Sequence, residues 1–222
     1  MRINSELIIP SPVETLEKIV ELISNGGFLK ICIGSVIRIF FGAILGVILG
    51  TLLAVLGRVI PVFSYITFPV MTVIKATPVA SFIVLLLILI GKNSVPSITS
   101  ALISVPILWA NVSQGIDGID KSLTEVCKVY EIPYLKRLKV LWIPSVLPNF
   151  ISGIKSCIGL SWKAGIAAEV LCTPNDSIGL KIHETRVYLE TSELFAWTLV
   201  VIILSLIFEK LALFIFSERR KK

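Results

Sequence analysis

ICIGSVIRIFFGAILGVILGTLLAVL, residues 31–56, is the stretch that decides what kind of molecule this is. It holds one charge, Arg38, in 26 residues. As a helix rising about 1.5 Å per residue it would reach roughly 39 Å, more than the ~30 Å of hydrocarbon in a bilayer. Gly42, Gly46 and Gly50 recur every fourth residue inside it, and Gly34 and Ala54 extend the row. Such a row strips one helix face of side chains, so that another backbone can approach closely in lipid. The row therefore predicts a helix buried in a bundle; the plain alternative is glycines that fall there incidentally.

The rest of the chain has the same character. Of 222 residues, 55% are hydrophobic and 16% charged, with a mean hydropathy of +0.91, whereas soluble domains carry about a quarter charged residues. Net charge is +6. In a soluble domain that would suggest nucleic acid, but the basic residues here sit in loops and at the C-terminus, where they orient a membrane protein. Met1 to Pro10 lacks the basic start, apolar core and small-residue cleavage site of a secretory leader. Cys32, Cys127, Cys157 and Cys172 have neither metal nor disulfide spacing and read as small packing residues. His183 is the single histidine, and no metal site is expected around it.

Outward from residues 31–56, the apolar pattern predicts an all-α membrane protein with about five crossings. From Val59 to Ile90 the chain stays apolar but is interrupted by Pro61, Pro69 and Pro78, with Lys75 between them. This predicts one broken or tilted span, its break at Lys75 to Pro78 a candidate pathway wall, because irregular backbone at membrane depth survives where protein or a cavity surrounds it. Further spans are expected over about Val95 to Ile116, Ile143 to Leu171 and Leu194 to Phe216. Before the first span, Ser11-Pro12-Val13-Glu14 is a helix start. The apolar residues Val13, Leu16, Ile19, Val20 and Ile23, set among Glu14, Glu17, Lys18 and Glu21, predict a helix lying on the membrane surface. The expected division is residues 1–30 as an amphipathic helix outside and 31–222 as the transmembrane domain. Within the latter, 117–142 is a cytoplasmic loop rich in Lys121, Lys128, Lys136, Arg137 and Lys139. With Arg219, Arg220, Lys221 and Lys222 on the same side, basic residues number ten inside against six outside.

The loop reads SLTEVCKVYEIPYLKRLKVLWIPSVLP from Ser122 to Pro148. Ser122 to Glu125 reads as a capping box, Pro133 breaks the helix it starts, and Tyr134 to Val140 restarts it. A short amphipathic hairpin projecting from a membrane domain is a docking surface. This loop resembles that of binding-protein-dependent importer permeases of the ATP-binding-cassette superfamily, whose motif runs Glu-Ala-Ala, three residues, Gly, nine residues, Ile-x-Leu-Pro. Glu125-Val126-Cys127 is similar to its start, and Leu141-Trp142-Ile143-Pro144 falls at the required distance. Glu131 occupies the glycine position, which would be strained if that position needs a positive φ. The likeness continues through Pro10-Ser11-Pro12, Ser35 to Arg38, Lys75-Ala76-Thr77-Pro78, Pro144 to Pro148, Leu160-Ser161-Trp162, Ala168-Glu169 and Ile178-Gly179-Leu180. It is similar in this to permeases of the nitrate, sulfonate and taurine group. Members generally have one more spanning helix before the Pro-Ser-Pro stretch, so five spans are expected here and not six.

The resemblance implies a type I importer-like permease in the cell (plasma or inner) membrane that binds no cofactor itself, with ATP held by a partner ATPase. It also implies two ATPase copies, an extracytoplasmic solute-binding protein docking on outer loops such as 173–193, and a second copy of the chain. Glu125 would anchor the hairpin in the ATPase groove, with Val126 and Val129 filling it; alternatively Glu125 only caps its helix. No G-x-x-x-x-G-K-[ST] phosphate loop is present, and no Ser-His-Asp or Cys-His set suggests a membrane enzyme. The alternative of a secondary carrier would need helices enough for two repeats. Charges inside spans are costly, so Arg38, Lys75, Lys155, Lys163 and Glu169 need reasons. Arg38 and Lys155 are expected to snorkel or pair. Lys75 or Lys163 either faces the pathway and favours an anion, or is matched structurally with Glu169. The spacing of Lys163 and Glu169 argues against a direct bond between those two.

Overall fold

The computed structural model describes residues 10–24 and 26–217, and every regular element within them is helical. Met1 to Ile9, which include most of the stretch read for a leader, and the basic tail Arg219 to Lys222 lie outside the described residues. The helices are α1 (Pro12–Ser24), α2 (Phe28–Val59), α3 (Pro61–Ala76), α4 (Val79–Ile90), α5 (Val95–Asp117), α6 (Lys121–Val129), α7 (Tyr134–Arg137), α8 (Ile143–Cys172), α9 (Ile178–Val187) and α10 (Thr191–Ser217). A π-helical segment, Leu138–Trp142, joins α7 to α8 without a break.

Prolines set several of the starts, because a first-turn position needs no amide hydrogen. Pro12, Pro61 and Pro96 each stand at the head of a helix. At α1 the expected reciprocal cap is formed: Glu14 N donates to Ser11 Oγ at 3.2 Å and Ser11 N donates to Glu14 Oε2 at 2.9 Å. α1 divides its apolar residues between two faces. Leu22 and Ile19 pack inward, while Val13, Leu16, Val20 and Ile23 remain exposed.

At the centre lie α2, α5 and α8. A Cβ on Gly42 would strike the backbone of Ser97, one on Gly46 would come within 2.6 Å of Ala101 O, and one on Gly50 within 2.5 Å of Val105 O. These contacts advance in step along both helices, so α2 and α5 run parallel with backbones nearly touching. α8 runs antiparallel to α5: Ser161 Oγ meets Ser104 Oγ at 2.7 Å, Ser100 Oγ donates to Ser161 O at 3.2 Å, and Gly153 lies against Asn111. Small residues and hydroxyl bonds are how helices adhere where lipid removes the hydrophobic drive. α10 closes the other side through Trp162, whose indole donates to Val201 O at 3.2 Å and meets Phe208 edge-on at 5.0 Å. Cys32, Cys157 and Cys172 are buried in these contacts, and the described cysteines are all free.

The expected break is present, and the number of spans differs. Val59 to Ile90 forms two helices bent by 102° at Thr77-Pro78. At 16 and 12 residues, about 24 and 18 Å long, neither crosses alone. Among the described residues, three helices (α2, α5 and α10) are long and apolar enough to span, or four if the bent pair counts as one. The helix missing from the expected five is α8. Its 30 residues give ample length, but Asn149, Lys155, Lys163, Glu169 and its serines dilute its apolar character.

Candidate functional site

The bundle has two distinct ends. At one, Lys30 pairs with Asp176 at 2.7 Å, Lys92 donates to Asn175 Oδ1 at 3.0 Å, and α9 lies between α8 and α10. At the other, Arg58 of α2 faces Asp117 of α5 at 3.7 Å, and the chain leaves the bundle as α6 and α7.

α6 begins with Asp120, whose carboxylate accepts from Ser122 Oγ at 2.7 Å and Ser122 N at 2.8 Å. Those two donors, the hydroxyl first, hold the Asp120 carboxyl below its ordinary range. The box expected from Ser122 to Glu125 is thus displaced: the cap is Asp120, two residues earlier, whose carboxylate accepts the free amide of Ser122. The helix ends in a reversing turn. Glu131 N donates to Lys128 O at 3.0 Å, Ile132 N donates to Cys127 O at 3.0 Å, and Glu131 itself has φ 49°. That is the left-handed conformation that favours glycine, at the position where the resembling motif has glycine.

No residue of α6 is buried. Val126, Val129, Tyr130, Tyr134 and Leu135 make an exposed apolar patch, with Val129 79% accessible. Glu125 is exposed beside them and lines a cleft of about 510 Å³ with Arg58, Asp117, Lys121, Lys128 and Trp142. Cys127 is half-buried, Leu141 is buried under the turn, and Ile143 and Pro144 are exposed at the start of α8. Large exposed apolar patches are characteristic of sites that meet a protein or a membrane.

The membrane-depth charges divide differently. Glu169 is fully buried: Oε1 accepts from Arg38 Nη1 at 2.7 Å, and Oε2 accepts from Ser35 Oγ at 2.7 Å and Gly179 N at 3.2 Å. Ser35 Oγ in turn accepts Ile178 N at 2.9 Å, so one carboxylate and one hydroxyl tie α2, α8 and the first turn of α9 together. Sequence reasoning did not join these groups, although Ser35 to Arg38, Ala168-Glu169 and Ile178-Gly179 all stood among the quoted stretches. Only their 131-residue separation hid the pairing. Lys75 is exposed, with Nζ 5.9 Å from the Trp109 ring centre, and Lys163 is exposed on α8.

Residues 38–219 match the family described as binding-protein-dependent transport system inner membrane component. The taurine transport system permease protein of Escherichia coli is 22% identical across 94% of this chain and 78% of its own length. A Bacillus subtilis protein named for aliphatic sulfonate transport is 29% identical over 40% of this chain. That match spans about a third of the relative's length, 32%. The backbone resembles the crystal structure of an amino acid ABC transporter with a TM-score of 0.72 at 15% identity, covering 95% of this chain and all of that one.

Proposed function

The chain belongs to the family of binding-protein-dependent transport system inner membrane components, and we propose from that premise that it is the permease subunit of an ATP-driven importer for a small anion. The observation that carries this is the projecting hairpin: an exposed apolar patch on a helix that buries none of its own residues, at the Arg58–Asp117 end of a packed bundle. A helix so placed gains nothing for its own fold by displaying Val129 and Tyr130. It fits the groove of an ATPase subunit, with Glu125 as the polar anchor beside Val126 and Val129.

On this reading α8 crosses the membrane as a fifth span with α2, α5, α10 and the bent α3–α4 pair. The hairpin and C-terminus are cytoplasmic, in keeping with the basic residues around them. α9 and the loop 173–193 face a solute-binding protein outside, and α1 rests on the outer membrane surface. Two copies of the chain supply two docking hairpins, one for each ATPase subunit. The relatives named for taurine and aliphatic sulfonates support a small oxyanion or organic anion as cargo. ATP is bound and hydrolysed by the partner.

The test is affinity recovery of the tagged chain from solubilised native membranes, with partners identified by mass spectrometry. An ATP-binding-cassette ATPase recovered with the unaltered chain and depleted with Glu125→Ala or Val129→Asp supports the assignment. A folded chain recovered without any ATPase contradicts it.

A further inference from the structure

α9 sits at the Lys30–Asp176 end of the bundle, and its first turn is hydrogen-bonded to two other helices. Ile178 N donates to Ser35 Oγ of α2 at 2.9 Å, and Gly179 N donates to Glu169 Oε2 of α8 at 3.2 Å. Beyond that turn, the side-chain bonds of Lys181, Glu184 and Thr185 stay within α9. The helix is seated at Gly179, where a Cβ would overlap Glu169 Cβ and the backbone of α8, an approach that glycine permits. Ile178 is fully buried there, in one cluster with Ile39, Trp162 and Trp197.

This seat can be vacated without stranding a buried charge. If α9 leaves, Glu169 keeps Arg38 Nη1 and Ser35 Oγ, both donors from α2 and both at 2.7 Å. Ile178 N and Gly179 N are first-turn amides, which have no acceptor within their own helix and pass readily to water. Leu180 N takes its cap with it, since its acceptor is Ser177 Oγ at 3.0 Å. The connector's ties, Lys30 to Asp176, Lys92 to Asn175 and Arg38 to the Asn175 carbonyl, are exposed, and exposed pairs contribute little. Burial of Ile178 and Ile182 in the cluster is therefore the main force holding the helix down.

Both ends of the segment are strained. Thr173, directly after α8, has φ 47°, and Leu189, just after α9, has φ 59°. Positive φ is uncommon outside glycine and an outlier for a β-branched residue such as Thr173. Strain of this kind persists where the surrounding structure imposes it, and it clusters at switch regions. Hinges are a few loop or element-terminal residues that absorb such changes in φ and ψ.

We propose that α9 is a hinged strap: seated on Ser35 and Glu169 it closes this outer end of the bundle, and it lifts as a unit about Thr173 and Leu189 to open that end. Strain at the two hinges favours lifting, and burial of Ile178 opposes it. The side of the membrane that the strap faces rests on the permease assignment above; its two positions rest on the geometry of the seat.

A cysteine at Ile178 reports lifting directly, because that side chain is fully buried when α9 is seated. In a chain with the four native cysteines replaced by serine, Ile178→Cys is treated in intact cells with a membrane-impermeant methanethiosulfonate. Adding Gly179→Ala overpacks the seat and should raise the reaction rate at least about fivefold. Adding Leu189→Gly relieves the seated state of strain and should lower the rate at least about threefold, whereas a merely loose helix would react faster with that glycine. If Gly179→Ala does not accumulate, Ser35→Ala, which removes the acceptor of Ile178 N without adding bulk, should raise the rate in its place. A chain keeping only Cys157, buried where α8 meets α5, should react no faster with Gly179→Ala. Rates unmoved by the seat variants, a rise with Leu189→Gly, or Cys157 accelerated in step would overturn the strap. Reaction in broken membranes but not in intact cells would overturn its outer position. Recovery of the ATPase from the same cells reads the permease assignment separately, so failure of the strap and failure of the permease are told apart.

Discussion

Replacing Gly46 by alanine adds one methyl group where α2 and α5 pack backbone against backbone. Its Cβ would stand 2.5 Å from Ser104 Cβ and 2.6 Å from Ala101 O, where ordinary carbon contacts need about 3.5 Å. One of those neighbours is backbone and cannot rotate away, so the helices must separate by about 1 Å. Overpacking of this kind costs about 1–3 kcal/mol. Alanine also improves helix propensity by up to about 1 kcal/mol, which would blur the result without a reference. Gly57 supplies it, being in the same helix with its nearest foreign atom, Ser64 Cβ, at 3.6 Å. Propensity then cancels between Gly46→Ala and Gly57→Ala, leaving the packing difference of about 1–3 kcal/mol. At roughly 2–4 °C per kcal/mol for a chain of this size, thermal unfolding in detergent should place Gly46→Ala about 2–12 °C below Gly57→Ala. Equal midpoints would refute the claim that the glycine row is a contact surface with α5.

Three further outcomes follow from named contacts. Arg38→Gln leaves the buried Glu169 carboxylate without its cation and should destabilise the bundle by about 3–5 kcal/mol, more than Glu169→Gln, as read by thermal unfolding of both variants; similar losses would count against an ion pair there. Glu131→Gly relieves a left-handed residue at φ 49°, a conformation costing about 1–2 kcal/mol without glycine. It should slow hydrogen exchange of the α6 amides, and faster exchange would contradict the strain. Because the Asp120 carboxyl lies below its ordinary value in the folded hairpin, the cap contributes fully above the unfolded value near about 3.9 and is lost as pH falls through the lower folded value. Exchange at α6 should therefore rise below about pH 4 in the native chain, and much less in Asp120→Asn; a rise of equal size in both would exclude this cap.

Much of this architecture was readable from spacing. The glycine row at 42, 46 and 50 implied close helix contact because a four-residue interval is a geometric property of one face. The Ser11-Pro12-Val13-Glu14 start is local and formed as expected. What escaped was non-local or decided by reach. Asp120 displaced Ser122 as the α6 cap since either residue suits the position and only backbone geometry chooses. The bend between α3 and α4 was visible as prolines, but not its 102° angle or the packing of Ile83 of α4 with Ala168 and Cys172 beyond it. The Arg38–Glu169 pair spans 131 residues, and no periodicity signals a partner at that distance. Glu131 is the instructive case: its departure from the glycine of the motif flagged a positive φ, and the backbone adopts one.

The central claim, that the hairpin is the ATPase contact on the cytoplasmic side, is tested most directly by photocrosslinking in intact cells. A photoreactive residue at Val129, on the hairpin, is compared with one at Tyr188, near the end of α9; both side chains are well exposed. Capture of an ATP-binding-cassette ATPase from Val129 and not from Tyr188 is the expected result. Capture from Tyr188 instead, or of no ATPase from Val129 in a folded chain, would contradict it.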